Sequence, residues 1–174
     1  KPLMKARFAM TEKGWTEAIT SAQASQGTPR PWTMIAKDLV VKDGDVITVG
    51  DTTFGVYETP GHTFGTASYS FHVRDGADSY HAFTVGGLGL NAIQSSQQVE
   101  AYIASVTRIA ALVRRPTDPI SAHLTTHPSS NGLTEAAQRL KSRRPGEPHP
   151  LVDPAGFTSQ LEMLRKNAVE RLVI

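Results

Sequence analysis

The spacing of apolar and polar residues changes period along the chain, and each period predicts an element. From Leu39 the period is two. Val46 and Thr48 alternate with Ile47 and Val49, Gly50 and Asp51 turn, and residues 53–57 return, which predicts a β-hairpin. Residues 66–73 and 79–85 alternate in the same way across a turn at 74–78, and Gly86-Gly87-Leu88-Gly89 ends the second of them. Four consecutive short strands predict an antiparallel or mixed sheet. The period then becomes helical. Behind a cap at Ser95 or Ser96, Val99, Tyr102, Ile103, Val106, Ile109, Ala110 and Val113 recur at three- and four-residue spacing up to Pro116. A short apolar run at 119–124 suits one more strand. Thr134 is the expected cap of a helix closing at Arg143-Arg144-Pro145-Gly146. Asp153, with Pro154 behind it, caps a final helix whose apolar stripe is Leu161, Leu164, Val169 and Leu172.

Upstream of the sheet, residues 4–10 read as a short strand with Ala6, Phe8 and Met10 on one face. Thr11 then caps a helix to about Ser21. Residues 23–31 are a polar loop, with Trp32 expected to pack it down. No repeat, low-complexity tract or linker interrupts the chain, so residues 1–174 are expected to form one domain of the α+β class.

Composition narrows the chemistry. The 174 residues carry a formal charge of +2, too mild an imbalance to suggest nucleic acid. Arg139, Lys141, Arg143 and Arg144 form the main basic cluster, which reads as a solvated helix end. Cysteine is absent, so a metal would have to be held by His, Asp or Glu. No apolar run is long enough to span a membrane. There is no Gly-x-Ser-x-Gly elbow, which disfavours a serine hydrolase. The glycines at 86, 87 and 89 lack the Lys-Ser/Thr of a phosphate loop. They read instead as bare backbone beside a pocket, where side chains would obstruct substrate.

Six histidines remain to be weighed. His62 lies in Thr59-Pro60-Gly61-His62-Thr63-Phe64-Gly65, a Pro-Gly turn between two strands, and His127 lies in Thr125-Thr126-His127-Pro128 after another apolar run. Loops at strand ends present functional groups on a rigid sheet, and two histidines in matching contexts point to metal ligands. His123 reads either as a group orienting such a ligand or as a core or edge histidine. His72 and His81 read as polar positions on the exposed side of a hairpin, and His149, between two prolines, as loop. Glu58, just before the turn, reads as a solvated strand residue or as a group that orients a metal ligand.

In that order, Asp45-Val46-Ile47-Thr48-Val49-Gly50, the Pro-Gly-His-Thr turn, the glycine-rich strand end and Thr126-His127-Pro128 resemble the metallo-β-lactamase fold, and most closely its subclass B3. The resemblance covers about residues 6–140 and implies an αββα sandwich with a zinc site at one edge. It implies that His62 is the third histidine of the first zinc site and His127 the histidine of the second. Glycine at Gly87, where related hydrolases bridge the metals with an acid, agrees with subclass B3. Gly87, Ser129 and Asn131 are then expected on the substrate side. The family's His-x-His-x-Asp-His motif, which supplies the other four ligands, occurs nowhere in these residues. The chain therefore resembles the C-terminal half of the sandwich, and the N-terminal half is its expected partner.

By that resemblance the intact enzyme holds two zinc ions and opens the amide of β-lactam antibiotics through a metal-bound hydroxide whose pKa lies near about 7. This chain alone is expected to be inactive, and no catalytic side chain is assigned to it. Periplasm or export is the expected location. The alternatives are a metal-free binding or assembly module made of half the fold, or a hydrolase of lactones or thioesters on the same fold.

Overall fold

The computed structural model describes residues 6–172. Strand β1 (Ala9–Met10) pairs in parallel with β2 (Leu39–Val40) in a small separate sheet. Met4 and Lys5 of the expected first strand lie outside the described residues. Helix α1 (Glu12–Ala24) begins where expected, because Thr11 Oγ1 accepts the Gly14 amide, and it runs three residues past Ser21. The loop behind it is pinned by backbone rather than by the indole. Ser25 Oγ accepts from the Trp32 amide at 3.0 Å and Gln26 Nε2 donates to the Trp32 carbonyl at 2.9 Å, while Trp32 itself is 41% exposed.

Five strands follow in the order β3-β4-β5-β6-β7: Val46–Val49, Thr52–Glu58, Ala67–Asp75, Asp78–Thr84 and Ala122–His123. The first three pairings are antiparallel and the last is parallel. The expected five-residue turn at 74–78 is a two-residue turn. Gly76, at φ +62°, supplies the left-handed conformation it needs, and Asp75 pairs with Asp78. The run at 119–124 yields only two paired strand residues. Pro119 has no amide to donate and Asp118 is turned to φ +49°, so regular pairing cannot begin earlier.

Helices α2 (Ser96–Val113) and α4 (Pro154–Leu172) cover one face of the sheet. Phe83 of β6, Val85 just behind that strand, Val99, Tyr102, Val106, Ile109 and Val113 of α2, and Phe157, Leu161 and Ala168 of α4 belong to one buried core. The stripe on α4 runs through Phe157, Leu161, Leu164 and Ala168, spaced by three and four, so Val169 and Leu172 fall off it and are exposed. Helix α3 (Leu133–Ser142) has no side-chain cap; left-handed Gly132 starts it, which puts Thr134 inside the first turn. Asp153 caps α4 as expected, with Oδ1 accepting from the Gly156 amide at 2.8 Å. The opposite face of the sheet carries Phe54 and Phe71, with ring centroids 4.9 Å apart, beside half-buried Tyr69 and Val73. Among the described residues no helix is long and apolar enough to cross a membrane.

Candidate metal centre

The turn at 59–65 is clamped from both sides, and the clamp begins with small residues. Gly61, at φ +138°, lies so close to the Tyr102 backbone that a Cβ there would collide with it. Ser105 Oγ of α2 donates to the Pro60 carbonyl at 2.7 Å. On the other side α1 supplies Glu17, whose carboxylate accepts the amides of Phe64 (2.9 Å) and Gly65 (2.8 Å). Thr11 Oγ1, besides capping α1, donates to the Gly65 carbonyl at 2.8 Å. Two helices thus hold seven residues that have no regular structure of their own. No local pattern in the sequence marks Glu17 for this work, because its partners lie nearly fifty positions away.

His62 is half-buried on this turn. Its Nδ1 lies 2.6 Å from the Gly89 carbonyl, so Nδ1 carries the proton and donates, and Nε2 is left with its lone pair. The ring rests against Gly87: a Cβ at that position would stand 2.6 Å from His62 Cγ. The Gly89 loop is itself fixed by Tyr102, whose buried hydroxyl donates to the Leu88 carbonyl at 2.7 Å and whose pKa burial pushes up to about 12. A neutral imidazole whose far nitrogen donates to a carbonyl is how a metal-ligating histidine is usually oriented. Gly87 therefore acts here through His62, a contact that the sequence reading of bare backbone did not include.

His127 precedes the short 3₁₀ turn Pro128–Ser130 and is exposed, with its amide donating to Thr125 Oγ1 at 3.1 Å. Ser129 is exposed on the same turn. Asn131 is exposed as a residue, but its Nδ2 lies 3.3 Å from both the carbonyl and Nδ1 of His123. His123 is a core histidine. It stacks on Phe157 at 4.2 Å, its Nδ1 lies 3.0 Å from Gln160 Oε1, and its buried Nε2 has no hydrogen-bond partner among the described residues. Burial drives its pKa down to about 4 against the pull of Gln160, so it is neutral near pH 7. The Glu58 backbone is engaged: its amide donates to Asp43 Oδ1 at 2.9 Å, and its carbonyl accepts from Arg108.

The donor chemistry of His62 and His127 fits zinc, but two imidazoles fall short of the three protein ligands of a catalytic site. The described residues that do gather three ligand atoms are His72, His81 and Asp118, with those atoms within 4.8 Å of one another. His81 is 6% exposed and lies on the helix-covered face, contrary to the expectation of two exposed polar positions. His81 stands two positions before core Phe83 on β6 and so shares its face, and Arg115 and Asp118 lie against its ring edge; His72, opposite it in the ladder, keeps a 52% exposed side chain.

No protein-family model matches the chain, and no curated protein matches it. Solved structures do. Native FEZ-1 metallo-β-lactamase from Legionella gormanii superposes with a TM-score of 0.80 at 20% identity, over 97% of this chain and 65% of that one. BJP-1, a subclass B3 metallo-β-lactamase of Bradyrhizobium japonicum, gives 0.77 at 20% identity, over 97% and 63%. MEM-A1, a subclass B3 metallo-β-lactamase isolated from a soil metagenome library, gives 0.73 at 18% identity, over 97% and 65%. The chain spans a little under two thirds of the length of these structures, and at such identities the likeness is one of fold. The α+β architecture, the strand-end turn that carries His62 and these superpositions agree: the chain has part of the fold of the subclass B3 metallo-β-lactamases.

Proposed function

We propose that this chain is the part of a zinc-dependent hydrolase that carries one histidine of each metal position, His62 and His127, and that the intact enzyme opens the amide of β-lactam antibiotics. The observation that supports this most is His62, locked by the Gly89 carbonyl and seated on Gly87 so that Nε2 keeps its lone pair. Zinc, when bound, supplies an acidified water and a charge that polarises a carbonyl. The chain's own residues supply the rest. His62 and His127 would each contribute to one of the two metal positions, and the clamp of Glu17, Ser105 and Tyr102 keeps His62 from moving with the turn. Ser129 lies exposed beside His127 and is free to meet substrate. Asn131 reaches substrate only by giving up its contacts to His123. The 174 residues alone would not turn over substrate, because each metal would have one protein ligand. A periplasmic or secreted location goes with this proposal.

A second reading, metal-free assembly through the sheet, has one observation in its favour: Val46 and Val49 of the edge strand β3 are 65% and 64% exposed. Hydrolysis assays separate the readings. The chain would be joined to a segment bearing the His-x-His-x-Asp-His motif, loaded with zinc, and given a cephalosporin, an acyl-lactone and a thioester. We expect the cephalosporin to be opened fastest, with turnover lost in His62→Ala and His127→Ala. Turnover that survives both changes contradicts the proposal, and a lactone or thioester preference moves it to another substrate.

A further inference from the structure

The cluster at the far end of the β5-β6 hairpin is built from three separate segments: His72 on β5, His81 on β6 and Asp118 in the loop behind α2. His72 Nε2 lies 3.0 Å from Asp118 Oδ1. His81 Nδ1 lies 3.1 Å from Asp118 Oδ2 and 3.0 Å from the Asp118 carbonyl. The two rings stack with centroids 4.7 Å apart, because the residues are directly opposite in the ladder. Asp118 is held at φ +49°, a left-handed conformation that non-glycine residues seldom adopt. Its carboxylate meets both histidines and its carbonyl meets His81.

One ligand atom from each of the three residues lies within 4.8 Å of the others, and one positive group now serves His81 and Asp118. Arg115 Nη2 is 3.0 Å from His81 Nδ1 and 2.9 Å from Asp118 Oδ2, and its Nε donates to the Asp118 carbonyl at 2.6 Å. His81 Nδ1 cannot satisfy this company. With a proton it faces the arginine, and without one it faces two oxygens. A cation bound to Nδ1, Nε2 and the carboxylate relieves both conflicts. A tetrahedral ion with bonds of about 2.0–2.1 Å needs ligand atoms about 3.3 Å apart. With one carboxylate oxygen as the ligand, one separation is already close to that, 3.0 Å from Oδ1 to His72 Nε2 or 3.1 Å from Oδ2 to His81 Nδ1, and the ligand atoms all lie within 4.8 Å of one another. The side chain of His72 is 52% exposed and that of Arg115 31%, so one can close and the other can swing out without opening the core.

We propose that His72, His81 and Asp118 form a divalent-metal site of the two-histidine, one-carboxylate type, suited to zinc or cobalt, with Arg115 holding the place of the ion when none is bound. The site is independent of His62. His72 sits five positions along β5 from its Ala67 end, which adjoins the His62 turn, or roughly 16 Å at about 3.3 Å per residue. Three protein ligands leave the ion a coordination position for water.

The test is zinc titration by calorimetry on the 174-residue chain carrying His62→Ala and His127→Ala, which removes the other candidate ligands. We expect one equivalent of zinc per chain, affinity reduced at least tenfold by His72→Ala and by Asp118→Asn, and affinity raised at least tenfold by Arg115→Ala. Cobalt titration should give a d–d absorption band that His72→Ala abolishes. His72 and Asp118 are both about half exposed, so their variants should keep the wild-type circular dichroism. Absence of binding in this background, or binding unchanged by His72→Ala and Asp118→Asn, overturns the site. Unchanged or weaker binding in Arg115→Ala overturns the role given to the arginine. Because His62 and His127 are already absent, none of these outcomes depends on the hydrolase proposal.

Discussion

At the scale of single residues, His123 couples the core to pH. Its folded pKa of about 4 lies below the ordinary 6.5, chiefly through burial. Between those values the unfolded chain takes up a proton that the folded chain refuses, so its contribution to stability is lost as pH falls from 6.5 toward 4. The thermal midpoint should drop over that window, and His123→Gln should flatten the drop; equal slopes in the two proteins would show that another group is responsible. Gly87 is tested more simply. A methyl group there stands 2.6 Å from His62 Cγ, so Gly87→Ala should displace the ring and remove any zinc response of His62 while circular dichroism stays unchanged. A response equal to wild type would mean that the ring does not need the glycine.

At the scale of elements, the turn at 59–65 depends on α1. The carboxylate of Glu17 accepts two amides, and removing the acceptor of a partly buried donor costs about 1–3 kcal/mol. Glu17→Ala should lower stability by that order and speed hydrogen exchange at Phe64 and Gly65 more than elsewhere in the chain. Uniform acceleration would instead mean that Glu17 contributes only to global stability. Much of the element layout is legible in the sequence: the Thr11 and Ser95 caps, the β3-β4 hairpin and the apolar face of α2 follow from local spacing. What is not legible depends on partners distant in sequence. The burial of His81 rests on Arg115 and Asp118, which reach it from more than thirty positions away. Val169 looked apolar and therefore buried, but the α4 stripe passes through the smaller Ala168.

At the scale of the molecule, the helix-covered face of the sheet is a finished core, whereas the other face shows the Phe54–Phe71 pair and the exposed edge residue Val49. In a two-sheet sandwich that second face packs against a partner sheet. Static light scattering of the 174 residues should therefore show concentration-dependent association that Phe71→Ser weakens; a monomer at every concentration would show that the face is adequately solvated.

The position of His62 and His127 was legible as two strand-end turns. The tautomer of His62 was not, because it depends on a carbonyl twenty-seven residues away. That tautomer is the most direct test of the metal centre. Long-range nitrogen–proton NMR of the imidazoles, in the His72→Ala background, reports which nitrogen carries the proton and which meets an added ion. We expect His62 to be protonated at Nδ1 before zinc and its Nε2 resonance to move on addition of zinc. A proton on Nε2, or an Nε2 resonance unmoved at saturating zinc, would contradict the assignment of His62 as a metal ligand.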